Sequence, residues 1–185
     1  AADHRANVRA AAQTGDYATV VREAADWAAG PHSDRDATEV AQAVEAAAAA
    51  REDAAFELME HELGAAGVDA LYDLAYGAPS SQNASLAAHA KKSLQDDTVK
   101  SHMSPALAVT IGIKTTQNVC DAKPKYFAQA ASVGDARTEV VLAPLLKKTG
   151  CGRRGRGDCH ACLRAGDDSV EKTVAAIRAR LDGGA

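Results

Sequence analysis

Residues 37–50 read ATEVAQAVEAAAAA, and this stretch sets the fold class that we expect for the whole chain. Apolar side chains recur in it at intervals of three and four residues, as on one face of an α-helix. They are Val40, Ala41, Val44, Ala47 and Ala48. Alanine is the best helix former and a weak strand former, so the stretch predicts a helix.

The rest of the chain shares this composition. Of 185 residues, 44 are alanine and 46% are apolar, whereas only 4% are aromatic. A core with so few large side chains requires helix backbones to lie close together. The composition therefore predicts an all-α globular fold, and it argues strongly against an all-β sandwich or a parallel α/β sheet.

Capping residues and glycines divide the chain into short predicted helices. Asp16 and Ser169 are expected N-caps, and Ser104 with Pro105 marks a further helix start. Gly64 and Gly67 are expected to end a helix. The predicted helices cover residues 6–13, 17–29, 37–50, 53–63, 68–76, a segment ending near 94, 104–118, 121–132, 134–146 and 169–181. Residues 97–103 are predicted as a connector and residues 149–167 as a loop.

Short helices with short breaks are typical of helical-hairpin repeats. Segment 53–94 resembles a HEAT-like pair, and segment 121–148 repeats its pattern. We therefore expect a HEAT/TPR-like α-solenoid, an array of antiparallel helix pairs with a Cys/Gly-rich loop before the last helix. It is expected to be a single domain over 1–185, with sub-units at 1–50, 53–148 and 149–185.

Charge is distributed unevenly along the chain. The formal net charge is −4, with −9 in residues 1–100 and +5 in residues 101–185. The negative total argues against nucleic-acid binding as the main activity. The asymmetry permits self-association through the two halves.

The sequence contains no run of 18 apolar residues, so no membrane span is predicted. The start without methionine favours a processed protein or an excised domain.

Three of the four cysteines lie in TGCGRRGRGDCHACL, residues 149–163, and Cys120 precedes them. Two disulfides are the favoured interpretation, because a glycine-rich loop has no core of its own and cross-links would order it. A bridge from Cys120 would close a ring of roughly 30–40 residues. Disulfides require an oxidising compartment. All three pairings of Cys120, Cys151, Cys159 and Cys162 remain open.

Other cysteine chemistry is compatible with the same spacing. Four thiolates would bind a tetrahedral zinc ion, with His160 as a substitute for one of them. Cys159 and Cys162 alone would form a redox-active pair. Ordinary reduced cysteine is the remaining alternative.

The loop carries a family resemblance. Leu145-Leu146, Gly150-Cys151-Gly152 and Asp158-Cys159-x-x-Cys162-Leu163-Arg164, with Cys120 upstream and a final amphipathic helix, resemble the helical, cysteine-containing C-terminal regions of bacterial Ser/Thr protein kinases and related exported proteins. The resemblance covers residues 53–181. It implies an extracytoplasmic sensing or binding module and favours disulfides. Kinase signatures do not occur in the sequence, so the resemblance implies the non-catalytic part.

Two sets of polar residues are candidate sites. A cluster of cations around the loop predicts an anion-binding patch, against the alternative of solvated charge. It consists of Lys147, Lys148, Arg153, Arg154, Arg156 and Arg164. Glu57 and His61, one helical turn apart, would share a metal, but a solvated helix face is favoured.

These observations favour a non-catalytic module that binds a protein or peptide in the periplasm or outside the cell, without a cofactor or bound metal. The alternative is a zinc-stabilised adaptor in the cytoplasm. An enzyme that uses His160 and Arg164 of the loop is the third hypothesis.

Overall fold

The computed structural model describes residues 3–77 and 83–183, and these ranges are helical without a β-strand. This confirms the all-α prediction. The helices are α1 (His4–Thr14), α2 (Tyr17–Ala28), α3 (Asp34–Ala47), α4 (Glu52–Glu57), α5 (Gly64–Tyr76), α6 (Ala84–Ser93), α7 (Asp97–Ser101), α8 (Pro105–Thr115), α9 (Val119–Ala122), α10 (Ala128–Val133), α11 (Ala136–Leu142) and α12 (Val170–Asp182).

Three predicted N-caps begin helices as expected. The side chains of Asp16, Ser104 and Ser169 each accept a hydrogen bond from the amide three residues later, at 3.2, 3.1 and 3.4 Å. These bonds satisfy amide groups that the first helical turn leaves unpaired. The 97–103 connector differs from its prediction, because it contains the short helix α7, with Asp96 as its N-cap.

Two helices that the sequence predicts as regular contain π-helical segments. Leu58–Glu62 follows α4, and Lys123–Phe127 joins α9 to α10. In the first segment the amide of Leu63 donates to the carbonyl of Leu58 at 3.0 Å, five residues back. Such a segment turns the following side chains away from the positions that α-helical spacing gives them.

Gly67 lies inside α5 and does not end a helix, which corrects the prediction. A Cβ atom at this position would lie 2.3 Å from the carbonyl oxygen of Met59, in the first π-helical segment. The absence of a side chain therefore lets two backbones approach each other. This close approach is the packing that an alanine-rich core with few aromatic residues requires.

The chain forms two compact units, and unit 1 is Ala1–Met103. Within it α3 packs against α1, α2 and α5, and α5 packs against α6. Its largest fully buried side chains are Phe56, Met59, Leu71, Val8, Val20, Val40 and Val44. Antiparallel pairing, the solenoid arrangement and the single-domain boundaries stay predictions.

Unit 2 is Ser104–Ala185. In this unit α8 and α12 each pack against α10 and α11. The buried hydroxyls of Thr110 and Thr138 are hydrogen-bonded at 2.7 Å. The core is Val109, Ile113, Ala122, Phe127, Ala130, Leu142, Leu163, Val170, Val174 and Ile177. In the part of the chain that the structure describes, no helix is long and apolar enough to span a membrane.

Candidate functional site

Two disulfides organise the loop before α12. Cys120 of α9 is bonded to Cys162, 42 residues later, and Cys151 is bonded to Cys159. The disulfide prediction is thereby confirmed, and the pairing left open by the sequence is resolved. The first bond attaches the loop to the body of unit 2, and the second closes a ring within the loop.

None of the four sulfur atoms is a thiolate, because each is part of a disulfide. Cys159 and Cys162 belong to different disulfides and do not form the two-residue-spaced redox pair. All four cysteines of the chain are oxidised, so a four-thiolate zinc site requires reduction of both bonds.

Residues 151–157, here called the arginine loop, form a tight turn. The amide of Cys151 donates to the carbonyl of Gly157 at 3.0 Å, and the amide of Gly157 donates back at 2.7 Å. Gly152 and Gly155 have positive φ angles of 72° and 65°, and Arg154 also has φ of 65°. Glycine adopts positive φ angles without a steric penalty, which explains why this short loop contains several glycines.

Three arginines lie at the tip of this loop. Arg153, Arg154 and Arg156 are exposed, and no acidic side chain of the described residues forms an ion pair with them. Their backbones span at most about 11 Å, because a residue advances the chain by less than 3.6 Å. The cross-linked tip therefore presents three positive charges to solvent.

Arg164, a fourth predicted patch residue, lies at the base of the loop and is occupied. Its Nε donates to Asp158 at 2.8 Å, and another of its nitrogens donates to Glu171 of α12 at 3.1 Å. It also donates to the carbonyl of Lys147 at 3.1 Å. The side chain is 17% exposed. Arg164 thus positions the loop against α12.

The charges at the base stabilise one another. The hydrogen bond from Arg164 holds the pKa of the Asp158 carboxyl below its usual range, and the backbone amide of His160 contributes further. Lys148 pairs with Glu171 at 3.4 Å. Lys123 pairs with Asp168 at 3.3 Å and donates to the carbonyl of Ala165. At the base, Lys123, Lys148 and Arg164 have acidic partners. The exposed Lys147 and the three tip arginines form no ion pair with an acidic side chain of the described residues.

An apolar contact completes the base. Leu163, between Cys162 and Arg164, is fully buried in the core of unit 2. The loop is thus attached to the unit by a disulfide, a buried leucine and an ion-paired arginine. The sequence identified the arginines and cysteines, but not that Arg164 pairs with Asp158 and Glu171. Glu171 carries no local signal, because its contact with Arg164 exists only once α12 has packed.

The second candidate set, Glu57 and His61, does not have the α-helical spacing that the sequence predicts. His61 lies in the π-helical segment Leu58–Glu62, so one-turn spacing from Glu57 no longer applies. Its Nε2 instead lies 3.7 Å from a carboxylate oxygen of Glu60. Glu60 also accepts a hydrogen bond from Ser93. Glu60 and His61 line a cleft of about 330 Å³, together with His89 and Asp96.

Comparisons of the chain with family models, with curated proteins and with solved structures found no match. The resemblance to kinase C-terminal regions stays a prediction.

A carboxyl group in unit 1 makes its stability depend on pH. Burial raises the pKa of Glu45 on α3 from 4.5 to about 7, and the negative charge of Asp73 adds to the rise. Between these two values the folded unit binds a proton that the unfolded chain does not. Stability therefore falls as pH rises through this window, and the loss is complete above about pH 7.

Glu45→Gln removes that loss. We expect it to raise the melting temperature of unit 1 by about 4 °C or more near pH 8, and to leave it unchanged near pH 4. Fluorescence of Trp27, the only tryptophan, reports on unit 1. Glu39→Gln on the same helix is the control with opposite sign, because a hydrogen bond from Arg9 lowers the pKa of Glu39. An equal rise for Glu45→Gln at both pH values would contradict the assignment.

Proposed function

We propose that the chain is a non-catalytic binding module of an oxidising, extracytoplasmic compartment. Its arginine loop binds an acidic segment of a partner protein. Its helices form a HEAT/TPR-like array of antiparallel pairs that supports the loop. The observation that carries the proposal is the contrast in charge pairing. Arg153, Arg154 and Arg156 have no acidic partner among the described residues, while the neighbouring Lys123 and Lys148 have one each and Arg164 has two.

The construction of the loop supports a role in recognition. Binding costs less entropy when the contacting groups are already ordered. The Cys151–Cys159 bond and the paired amides of Cys151 and Gly157 restrict the backbone that carries the three arginines. Arginine is suited to this role, since its planar group donates two parallel hydrogen bonds to one carboxylate.

The two disulfides support the proposed compartment, because bonds of this kind persist outside the reducing cytosol. A place in the exported C-terminal region of a bacterial Ser/Thr kinase is the specific form of this proposal. A protein partner is favoured over a nucleic acid, because no aromatic side chain lies between the arginines to stack with bases.

A second copy of the chain is a candidate for the acidic partner. Residues 1–103 carry a net charge of −9 and residues 104–185 a net charge of +5. Sedimentation velocity at low and high salt tests this form of the proposal. Association that weakens with salt and with loss of the tip arginines would support it, and a monomer under both conditions would leave a different protein as the partner.

The triple variant Arg153→Gln, Arg154→Asn, Arg156→Gln tests the loop. Asparagine is chosen at position 154 because it tolerates positive φ. Each exposed charge contact contributes about 0.5 kcal/mol. We therefore expect the dissociation constant of a labelled Glu-Gly repeat peptide to rise about tenfold or more. Fluorescence anisotropy at two salt concentrations measures it.

The matched control removes three positive charges elsewhere. Arg35→Gln, Arg51→Gln and Lys125→Gln change exposed residues outside the loop. An equal loss of affinity in both variants would mean that only net charge matters, which would contradict the proposal. Equal affinity of the wild type for a single-stranded oligonucleotide would overturn the preference for a protein.

A further inference from the structure

A histidine and two carboxylates converge in unit 1, apart from the residues discussed so far. His4 lies at the start of α1, and Glu23 and Asp26 lie on α2. One ligand atom of each lies within 4.8 Å of the other two. Glu23 and Asp26 share a helix face because they are three residues apart. Nδ1 of His4 is 2.9 Å from a carboxylate oxygen of Glu23.

The surroundings hold Glu23 in one position. Asn7 donates to the same carboxylate oxygen at 2.9 Å, and Arg22 donates to the other oxygen at 3.1 Å. The side chain is 13% exposed. The hydrogen bond from Asn7 lowers the pKa of Glu23 most, and the hydrogen bonds from His4 and Arg22 lower it further, to about 2. These hydrogen bonds hold the carboxylate in place beside His4.

A route from solvent reaches this cluster. His4 and Asp26 line a cleft of about 400 Å³, together with Asp3 and Trp27. The His4 side chain is 33% exposed, and Asp26 is exposed. The cleft gives an ion access and leaves room for a water molecule as a further ligand.

We propose that His4, Glu23 and Asp26 bind a divalent transition-metal cation of the zinc class. Imidazole nitrogen with carboxylate oxygens is a ligand set that Zn²⁺ accepts, whereas Mg²⁺ and Ca²⁺ prefer oxygen ligands alone. Ligands at about 2.1 Å in a tetrahedral arrangement lie about 3.4 Å apart. The His4–Glu23 pair at 2.9 Å therefore needs only a small separation to admit the ion. The ion would link α1 to α2.

The disulfides favour zinc binding at His4, Glu23 and Asp26 over zinc binding at the cysteine sulfur atoms. All four sulfur atoms are oxidised, so no thiolate competes for zinc in the folded protein. The experiment therefore uses the untagged full chain under non-reducing conditions. A competition titration with a zinc indicator measures the affinity for Zn²⁺.

We expect one Zn²⁺ per chain in the wild type. Asp26→Asn and His4→Gln are each expected to weaken the affinity about tenfold or more, since changing even an outer-shell partner costs about 10–100-fold. Zinc should raise the melting temperature of unit 1 in the wild type and not in Asp26→Asn, as Trp27 fluorescence reports. Asp26 is exposed, so its substitution leaves the folded unit intact.

His89→Gln is the matched control. His89 makes the same kind of contact with Glu52, at 3.2 Å, but within the described residues it belongs to no three-ligand cluster. Three results would overturn the proposal. One is the absence of saturable binding up to about 1 mM Zn²⁺. The second is wild-type affinity in both Asp26→Asn and His4→Gln. The third is an equal loss in His89→Gln.

Discussion

Replacing Cys120 and Cys162 together by serine is expected to lower the free energy of unfolding of unit 2 by about 4 kcal/mol. The bond joins residues that are 42 apart in sequence. A cross-link restricts the unfolded chain, and this restriction stabilises the fold more when the closed loop is longer. Small domains are stable by about 5–15 kcal/mol in total. The double variant is therefore expected to lose a large part of the stability of unit 2.

Hydrogen exchange of backbone amides in peptides from α8 and α12 measures this loss in unit 2 alone. Peptides from unit 1 are the internal reference, since that unit contains no cysteine. The matched variant is Cys151→Ser with Cys159→Ser. This bond spans only 8 residues, and the same relation gives about 2.5 kcal/mol. A loss as large in this variant as in the first would contradict the chain-entropy explanation.

Signals local in sequence were sufficient for the fold class and for several helix starts. Alanine content predicts helices because it acts residue by residue, and Ser104 caps α8 through an amide three residues away. The π-helical segment Leu58–Glu62 and the position of Gly67 within α5 escaped prediction. Both depend on how α5 packs against the preceding segment, and a single sequence contains no signal for that contact.

The same distinction applies to the candidate site. Clustering and glycine content predicted two disulfides and an exposed basic loop before α12. The pairing of Cys120 with Cys162 could not be predicted, because it depends on where α9 lies in the folded unit. The division of the cations into paired and unpaired sets also required the structure. Arg164 has the same chemistry as Arg153, and the positions of Asp158 and Glu171 separate their roles.

Leu163→Ala is expected to lower the free energy of unfolding of unit 2 by about 3 kcal/mol. The side chain is fully buried among the core residues of unit 2, so its loss removes apolar contacts and leaves a cavity. Its backbone neighbours are Cys162 and Arg164, and the change therefore also loosens the base of the loop. We expect weaker binding of the acidic peptide as a second result, although the tip arginines are unchanged.

Leu163 is either a core residue that acts independently of the loop or an attachment point of the loop. Combining Leu163→Ala with the loss of the Cys120–Cys162 bond distinguishes these two roles. Neighbouring sites that act through one element are not additive. If Leu163 seats the loop, its substitution costs less stability once the disulfide is absent, because the loop is already partly detached. Additive losses in hydrogen exchange would contradict this coupling. Leu181→Ala, at a side chain 40% exposed on α12, is the control and is expected to change stability by less than about 0.5 kcal/mol.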